Sequence, residues 1–205
     1  MFGERERAAL LGATTGAPLD EIDRAAIVER VWAKLGELGE ARPEGTCPPR
    51  TCAILVGSPA SGKTRLALAL SEVGFIRVSR DAQGARHLRE FSAALEAGHP
   101  VCVDNTNPRA ADRAPFARDA AAAGYLVLLC HVSTPKELCF HLNGARCQLD
   151  PTGVTKEVPA VALHTYWKRL EAPTEKEAAA IGGCLVVMPF VPDTGAPREI
   201  AEWTY

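Results

Sequence analysis

Gly57, Gly62, Lys63 and Thr64 stand at the spacing G-x-x-x-x-G-K-[ST] within the run Gly57-Ser58-Pro59-Ala60-Ser61-Gly62-Lys63-Thr64. That spacing describes a phosphate-cradling P-loop. The loop must turn tightly so that its backbone N–H groups converge on anionic oxygens. A helix starting at its end adds unpaired N–H groups and partial positive charge. In this reading residues 57–64 bind a nucleoside triphosphate. Lys63 reaches the β- and γ-phosphates, and the Thr64 hydroxyl holds Mg²⁺.

A phosphate donor needs an acceptor side, and four short polar runs follow apolar strands. Besides the P-loop they are Val78-Ser79-Arg80-Asp81, Asp104-Asn105-Thr106-Asn107-Pro108 and His131-Val132-Ser133-Thr134. In a parallel sheet, ligands gather where strands end. Asp81 is placed either to take a proton from an attacking hydroxyl or to cap the next helix near Gln83. Asp104, ending Val-Cys-Val-Asp, supports Mg²⁺ directly or through water; the alternative is a turn-starting residue before Asn-Thr-Asn-Pro. Asn105 and Asn107 are turn residues or substrate ligands. Arg80, Arg86 and Arg89 form either a patch for a nucleic-acid backbone or a solvated face diluted by Glu90 and Glu96. Arg146 serves either a lid that offsets charge on the transferred group or a helix C-terminus. Tyr166 and Trp167 read as core aromatics. The five histidines show no triad or metal arrangement, and Cys139, His141 and Cys147 match no standard zinc spacing.

The elements that must position these residues alternate strand and helix. Strands are expected over Thr51–Val56, Phe75–Ser79, Val101–Asp104, Tyr125–Val132 and Cys184–Phe190. Helices are expected over Thr64–Glu72, Gln83–Ala97, Asp112–Ala123, Lys136–Arg146, Val158–Leu170 and Thr174–Ile181. Gly74, Gly98 and Gly124 read as stops, Asp112 as an N-cap, and Pro115 as tolerable in a first turn. This alternation predicts an α/β fold with a parallel sheet covered on both faces. Upstream, Leu19, Ile22, Ile27, Val28, Val31, Trp32, Leu35 and Leu38 recur at helical spacing, and the Pro-rich run 41–50 reads as a linker.

Composition narrows the function classes. The chain has 205 residues, 47% of them hydrophobic, with net charge −2 and seven scattered cysteines. One domain with an appendage fits that length. The charge excludes a globally basic nucleic-acid binder, so any such contact must be a local patch. No run of eighteen apolar residues suggests a membrane span, and the charged opening does not read as a signal peptide. Buried reduced thiols, Cys52, Cys102 and Cys130 among them, are expected in an intracellular protein.

Together the motifs resemble the 5′-kinase domain of the polynucleotide kinase/phosphatase family. GSPASGKT, FIRVSRD, VCVDNTNP, HLNGAR and LEAPT (Leu170–Thr174) occur in the family's order between residues 51 and 190. The resemblance implies a P-loop kinase-like, NMP-kinase-like fold: a parallel sheet with helices on both faces and a helical lid, spanning 51–191. Residues 1–50 would be an extension and 192–205 a tail. It implies transfer of the γ-phosphate of ATP, with Mg²⁺, to a 5′-hydroxyl end of DNA or RNA, with protein partners in repair or processing. Asp81 would be the general base, Lys63 the γ-phosphate contact and Arg146 the lid arginine. Asp104 and Asn107 would line the acceptor side, together with Arg80, Asn105 and Arg86. The sequence departs from the pattern in three places. It lacks the D-x-D-G-T of the family's phosphatase partner. Gly144 stands where animal relatives tend to carry a basic residue. Residues 1–50 have no counterpart. Two rival readings are a kinase of a small hydroxyl compound or nucleotide, and a non-catalytic binding module.

Overall fold

A computed structural model describes residues 50–149 and 156–188. The helix expected over 19–38 and the tail from 191 lie outside the described residues. The elements run β1 (Thr51–Val56), α1 (Lys63–Glu72), β2 (Ile76–Val78), α2 (Arg80–Gln83), a 3₁₀ turn (Gly84–Arg86), α3 (His87–Glu96), β3 (Val101–Val103), α4 (Ala110–Ala122), β4 (Leu126–Val132), α5 (Lys136–Leu149), α6 (Ala160–Arg169), α7 (Glu175–Ala180) and β5 (Cys184–Met188). The five strands form one parallel sheet in the order β2-β3-β1-β4-β5. This is the expected α/β architecture.

The centre of the sheet is β1, and all six of its residues are buried. Alternation along a strand sends neighbours to opposite faces. Ala53 and Leu55 pack with Leu66, Ala67 and Leu70 of α1. Cys52 and Ile54 pack with Phe91 of α3, Phe116, Ala117 and Ala120 of α4, and Ala178 of α7. A fully buried Ile54 stabilises the fold by about 1.5–3 kcal/mol relative to an exposed one. Phe91 and Phe116 meet edge to face, with centroids 5.1 Å apart. Cys52, Cys102 and Cys130 are buried in the sheet as expected. Burial pushes the Cys130 thiol up to about 12.

Local boundaries differ from the sequence reading where side chains reach back. The expected helix over Gln83–Ala97 is broken by the 3₁₀ turn, and a short helix precedes it. The strand expected over Phe75–Ser79 keeps only its middle three residues. Asp112 is not the N-cap of α4. That position belongs to Arg109, and Asp112, at N3, accepts its backbone N–H at 3.1 Å. The helix therefore begins earlier, and Pro115 lies beyond the first turn, where it withholds one i→i−4 bond. The three glycine stops, Gly74, Gly98 and Gly124, all have positive φ after a helix end.

Candidate active site

The strand order places the tips of β1, β3 and β2 side by side. The loop after β1 is held from three directions. Gly57 N–H donates to Thr106 O at 3.2 Å, so the turn after β3 anchors its start. Thr134 Oγ1, beyond β4, donates to Ser61 O at 2.7 Å. Lys63 Nζ donates to Ser58 O at 2.7 Å, closing the loop on itself. A Cβ on Gly57 would come 2.7 Å from Ser61 Oγ and 3.1 Å from Val132 O, so only glycine fits there without displacement. Gly62, at φ 96°, caps α1 in the left-handed region, where a side chain would be strained. No side chain caps that helix, so its first N–H groups face the loop mouth. Ala60 also adopts a left-handed φ of 61° and packs beneath Leu138 and Leu142 of α5. The result is a concave row of backbone donors suited to phosphate.

Lys63 is 8% exposed. Desolvation lowers its pKa to about 8, partly offset by Asp104, Cys139 and Asp81, while Arg146 adds to the lowering. Lys63 thus feels Asp104, Asp81 and Arg146, residues drawn from the turn after β3, from α2 and from α5. The Cys139 thiol is itself pushed up to about 11, mainly by burial.

Asp104 is nearly buried at the end of β3. Its Oδ2 accepts Thr64 Oγ1 at 3.2 Å and two N–H groups of Arg77, Nε at 2.9 Å and Nη2 at 2.7 Å. Thr64 Oγ1 and the Asp104 carboxylate are hard oxygen donors of the kind Mg²⁺ prefers. Because Thr64 gives its proton to Asp104, its lone pairs are left for a cation. The donor set therefore fits the ion that the loop motif implies.

Asp81 lies in the first turn of α2 and is exposed. The cap of that helix is Ser79, whose N–H is taken by Gln83 Oε1 at 2.7 Å. Gln83, not Asp81, makes the side-chain bond at this helix start. Asn105 Oδ1 accepts Arg80 N–H at 2.9 Å and so fixes α2 on the β3 turn. The Asn107 side chain is turned inward: its Nδ2 donates to Leu55 O at 2.8 Å, and its backbone has φ 43°. The structure thus gives Asn107 a supporting position under the site. Arg80, Arg86 and Arg89 are exposed around the β2 tip.

Arg146 donates through Nη2 to Lys156 O at 3.0 Å. One turn earlier, Asn143 binds Val158 twice: Nδ2 to the carbonyl at 2.8 Å, and Oδ1 from the N–H at 3.0 Å. These bonds tie α5 to residues 156–158. Tyr166 is buried as expected.

Several positioning residues escaped the sequence reading. Arg77 was passed over inside a strand. Arg113 is 1% exposed and spends all five N–H groups: on both carboxylate oxygens of Glu177 at 2.7 Å, on Asn107 O, on Pro108 O and on Glu171 O. It ties the Asn-Thr-Asn-Pro turn to Leu170–Thr174 and α7. Its spacing on the stripe with Phe116, Ala117 and Ala120 is the signal that marks it as inward-facing. Among the described residues, no group of three or more His, Cys, Asp or Glu side chains forms a metal site. No described helix is long and apolar enough to cross a membrane.

A family model described as an AAA domain matches residues 82–173, from the residue after Asp81 to Pro173, so the loop 57–64 and Asp81 lie outside the match. A protein of Acanthamoeba polyphaga mimivirus, described as a putative bifunctional polynucleotide phosphatase/kinase, is 30% identical over 128 residues. That match covers 60% of this chain and 30% of the viral protein. With its glycine-rich loop and its parallel sheet order, the chain is similar to that viral protein, and the match spans 30% of the viral protein's length.

Proposed function

We propose that the protein is a Mg²⁺–ATP-dependent polynucleotide 5′-hydroxyl kinase. The observation that carries this reading is the placing of two carboxylates of different character around Lys63. Asp104 is nearly buried and committed to Thr64 and Arg77, which suits metal support. Asp81 is exposed, caps nothing, and is close enough to Lys63 to affect its charge. An acceptor hydroxyl arriving at the β2 tip would give its proton to Asp81 as its oxygen bonds to the γ-phosphorus. The bond from that phosphorus to the β–γ bridging oxygen breaks, and ADP leaves. Mg²⁺ supplies charge neutralisation between the phosphate oxygens when bound, with Thr64 and Asp104 as the residues that would hold it. Lys63 and Arg146 face the charge that spreads over the transferred group, and the loop N–H groups orient the donor. Exposed Arg80 and Arg86 suit phosphates of the acceptor strand, since such contacts position a backbone without reading bases. The description of the viral relative supports a polynucleotide acceptor.

The test is transfer of label from γ-labelled ATP to matched 5′-OH DNA and RNA oligonucleotides, beside a free nucleoside. We expect oligonucleotide labelling that Asp81→Asn lowers by about 10²–10⁴-fold, the usual range for a lost general base. Labelling of the nucleoside with no competition from oligonucleotide would replace this reading with a small-substrate kinase. Nucleotide binding with no transfer to any acceptor would replace it with a binding module.

A further inference from the structure

Arg77 stands in the middle of β2, in register with Cys102 of β3, and its guanidinium lies against Asp104. Two of its N–H groups and the Thr64 hydroxyl converge on one oxygen, Oδ2. The carboxylate is 3% exposed and Arg77 is 28% exposed, so the pair is shielded on the acid's side and open to solvent on the base's side. A guanidinium does not lose its proton in a protein, so the charge opposite Asp104 is permanent. Lys63 adds a second cation in electrostatic reach of the same carboxylate. A carboxylate meant simply to attract a divalent cation would not need a neutralising partner on the oxygen that already faces Thr64.

We propose that Arg77 is a positioning residue that sets the order of metal binding. It neutralises Asp104 in the nucleotide-free site, so that the divalent cation is held firmly only when nucleotide phosphates bring their own negative charge. This rests on the reading of Thr64 and Asp104 as magnesium-supporting residues. The physical basis is like-charge repulsion. A divalent cation at the Asp104–Thr64 oxygens meets a fixed guanidinium already bonded to Oδ2, in surroundings only partly screened by water. Three or four phosphate charges offset that repulsion, and Arg77, 28% exposed, keeps part of its side chain in water. The arrangement also keeps the nearly buried Asp104 carboxylate from standing uncompensated, which would be costly in the absence of a metal.

The experiment measures Mn²⁺ binding to the nucleotide-free full chain by paramagnetic resonance, alongside Mn²⁺ binding with ADP present. Wild type is compared with Arg77→Met, Arg77→Lys, Arg77→Gln and the double variant Arg77→Met/Asp104→Asn. With the charge removed, Arg77→Met should bind Mn²⁺ alone on the order of tenfold more tightly or better. Arg77→Lys should stay near wild type, and the double variant should lose the gain. With ADP present, the Met and wild-type affinities should converge. Arg77→Gln keeps an N–H for Asp104 without the charge, and it carries the same prediction if the Met variant does not fold. An unchanged or weakened Mn²⁺ affinity in the neutral variants overturns the proposal, as does a gain that survives loss of Asp104. None of these readings needs an acceptor. Failure of oligonucleotide labelling therefore removes the kinase assignment alone, and a flat metal titration beside normal labelling removes this inference alone.

Discussion

Replacing Arg113 should unfasten the floor of the site, and the structure sets the size of the effect. The side chain has five N–H donors and five acceptors within 3.3 Å: two oxygens of Glu177 and the carbonyls of Asn107, Pro108 and Glu171. Arg113→Met fills similar volume but strands the Glu177 carboxylate, 23% exposed, and three carbonyls. Removing one partner of a buried pair costs about 3–5 kcal/mol, and water reaching Glu177 places this case near the lower end. For a chain of this size that is a fall in Tm of roughly 6–12 °C. Arg113→Lys should recover less than half of the loss. Its single ammonium cannot span the carboxylate on one side and the turn carbonyls on the other. Arg113→Met combined with Glu177→Leu should be less destabilised than Arg113→Met alone, because no charge is then left behind. Urea unfolding of the four proteins measures these differences. The reasoning is refuted if Arg113→Met lies within about 1 kcal/mol of wild type, or if the lysine variant is fully stable, since either would mean that the five-fold bonding carries no net energy.

Three further outcomes follow from single contacts. Lys63 has a pKa lowered to about 8 in the folded chain. Between that value and its ordinary value of 10.5 the unfolded state holds more protons, so the lysine's contribution to stability rises with pH across this window. Phosphates restore the charged form, so ATP binding at pH 8.5 should draw in a proton. This is read as a calorimetric heat that changes with buffer ionisation enthalpy, and Lys63→Met should abolish that dependence. Gly57→Ala should weaken ATP at least about tenfold, because its methyl meets Ser61 Oγ and a backbone carbonyl. Adding Ser61→Ala should restore part of the affinity, and no restoration would place the clash elsewhere. Asn143→Ala removes both bonds to Val158. At about 1–3 kcal/mol for polar groups left unpaired, it should raise the KM for ATP by about tenfold or more while far-ultraviolet dichroism is unchanged.

What the sequence made legible was local. The phosphate loop is one contiguous run, and β1 and β4 are apolar runs bounded by turn residues, so short windows suffice to find them. Helix boundaries were less legible because they depend on reach-back bonds. Gln83 to Ser79 and Asp112 to Arg109 each shift a start by a few residues. The long-range partners were not legible at all. Arg77 and Asp104 are 27 positions apart, Ser61 and Thr134 are 73, and Arg113 and Glu177 are 64. One sequence displays the type of each residue but not its partner. A signal nevertheless existed for two of them. Arg113 interrupts the apolar stripe of α4, and Arg77 shares a strand face with Phe75, which is buried. A permanent cation on an inward face implies a buried acceptor somewhere, even when the acceptor cannot be named. Asn107 was read either as a turn residue or as a ligand, and its geometry fits the turn. Its backbone is left-handed, and its side-chain amide donates to Leu55 O, a partner 52 positions away that one sequence does not display.

The sheet order itself gives the proposed transfer its direction. After β1 the chain crosses to β2, leaving one strand position between them, and β3 fills it. Neighbouring strands lie about 4.8 Å apart, so the tips of β1 and β2 are separated by roughly 10 Å. That gap is too wide for a direct contact between donor-side and acceptor-side groups. It is wide enough for a phosphoryl group and an attacking oxygen in line. The β3 tip lies in the middle of the gap, and its first residue is Asp104. Its carboxylate bonds toward β1 through Thr64 and toward β2 through Arg77. The next residue, Asn105, holds α2, and with it Asp81, at the far side. In the proposed transfer Asp104 and Asn105 would fix the donor and acceptor sides relative to each other, and a lengthened β3 turn should uncouple them. Inserting one glycine after Asn105 should leave ATP affinity within about twofold and lower transfer by about 10²-fold, the scale expected for a misplacement near 1 Å. A parallel loss of both would instead mean that the turn serves the donor loop alone, through Thr106 and Gly57.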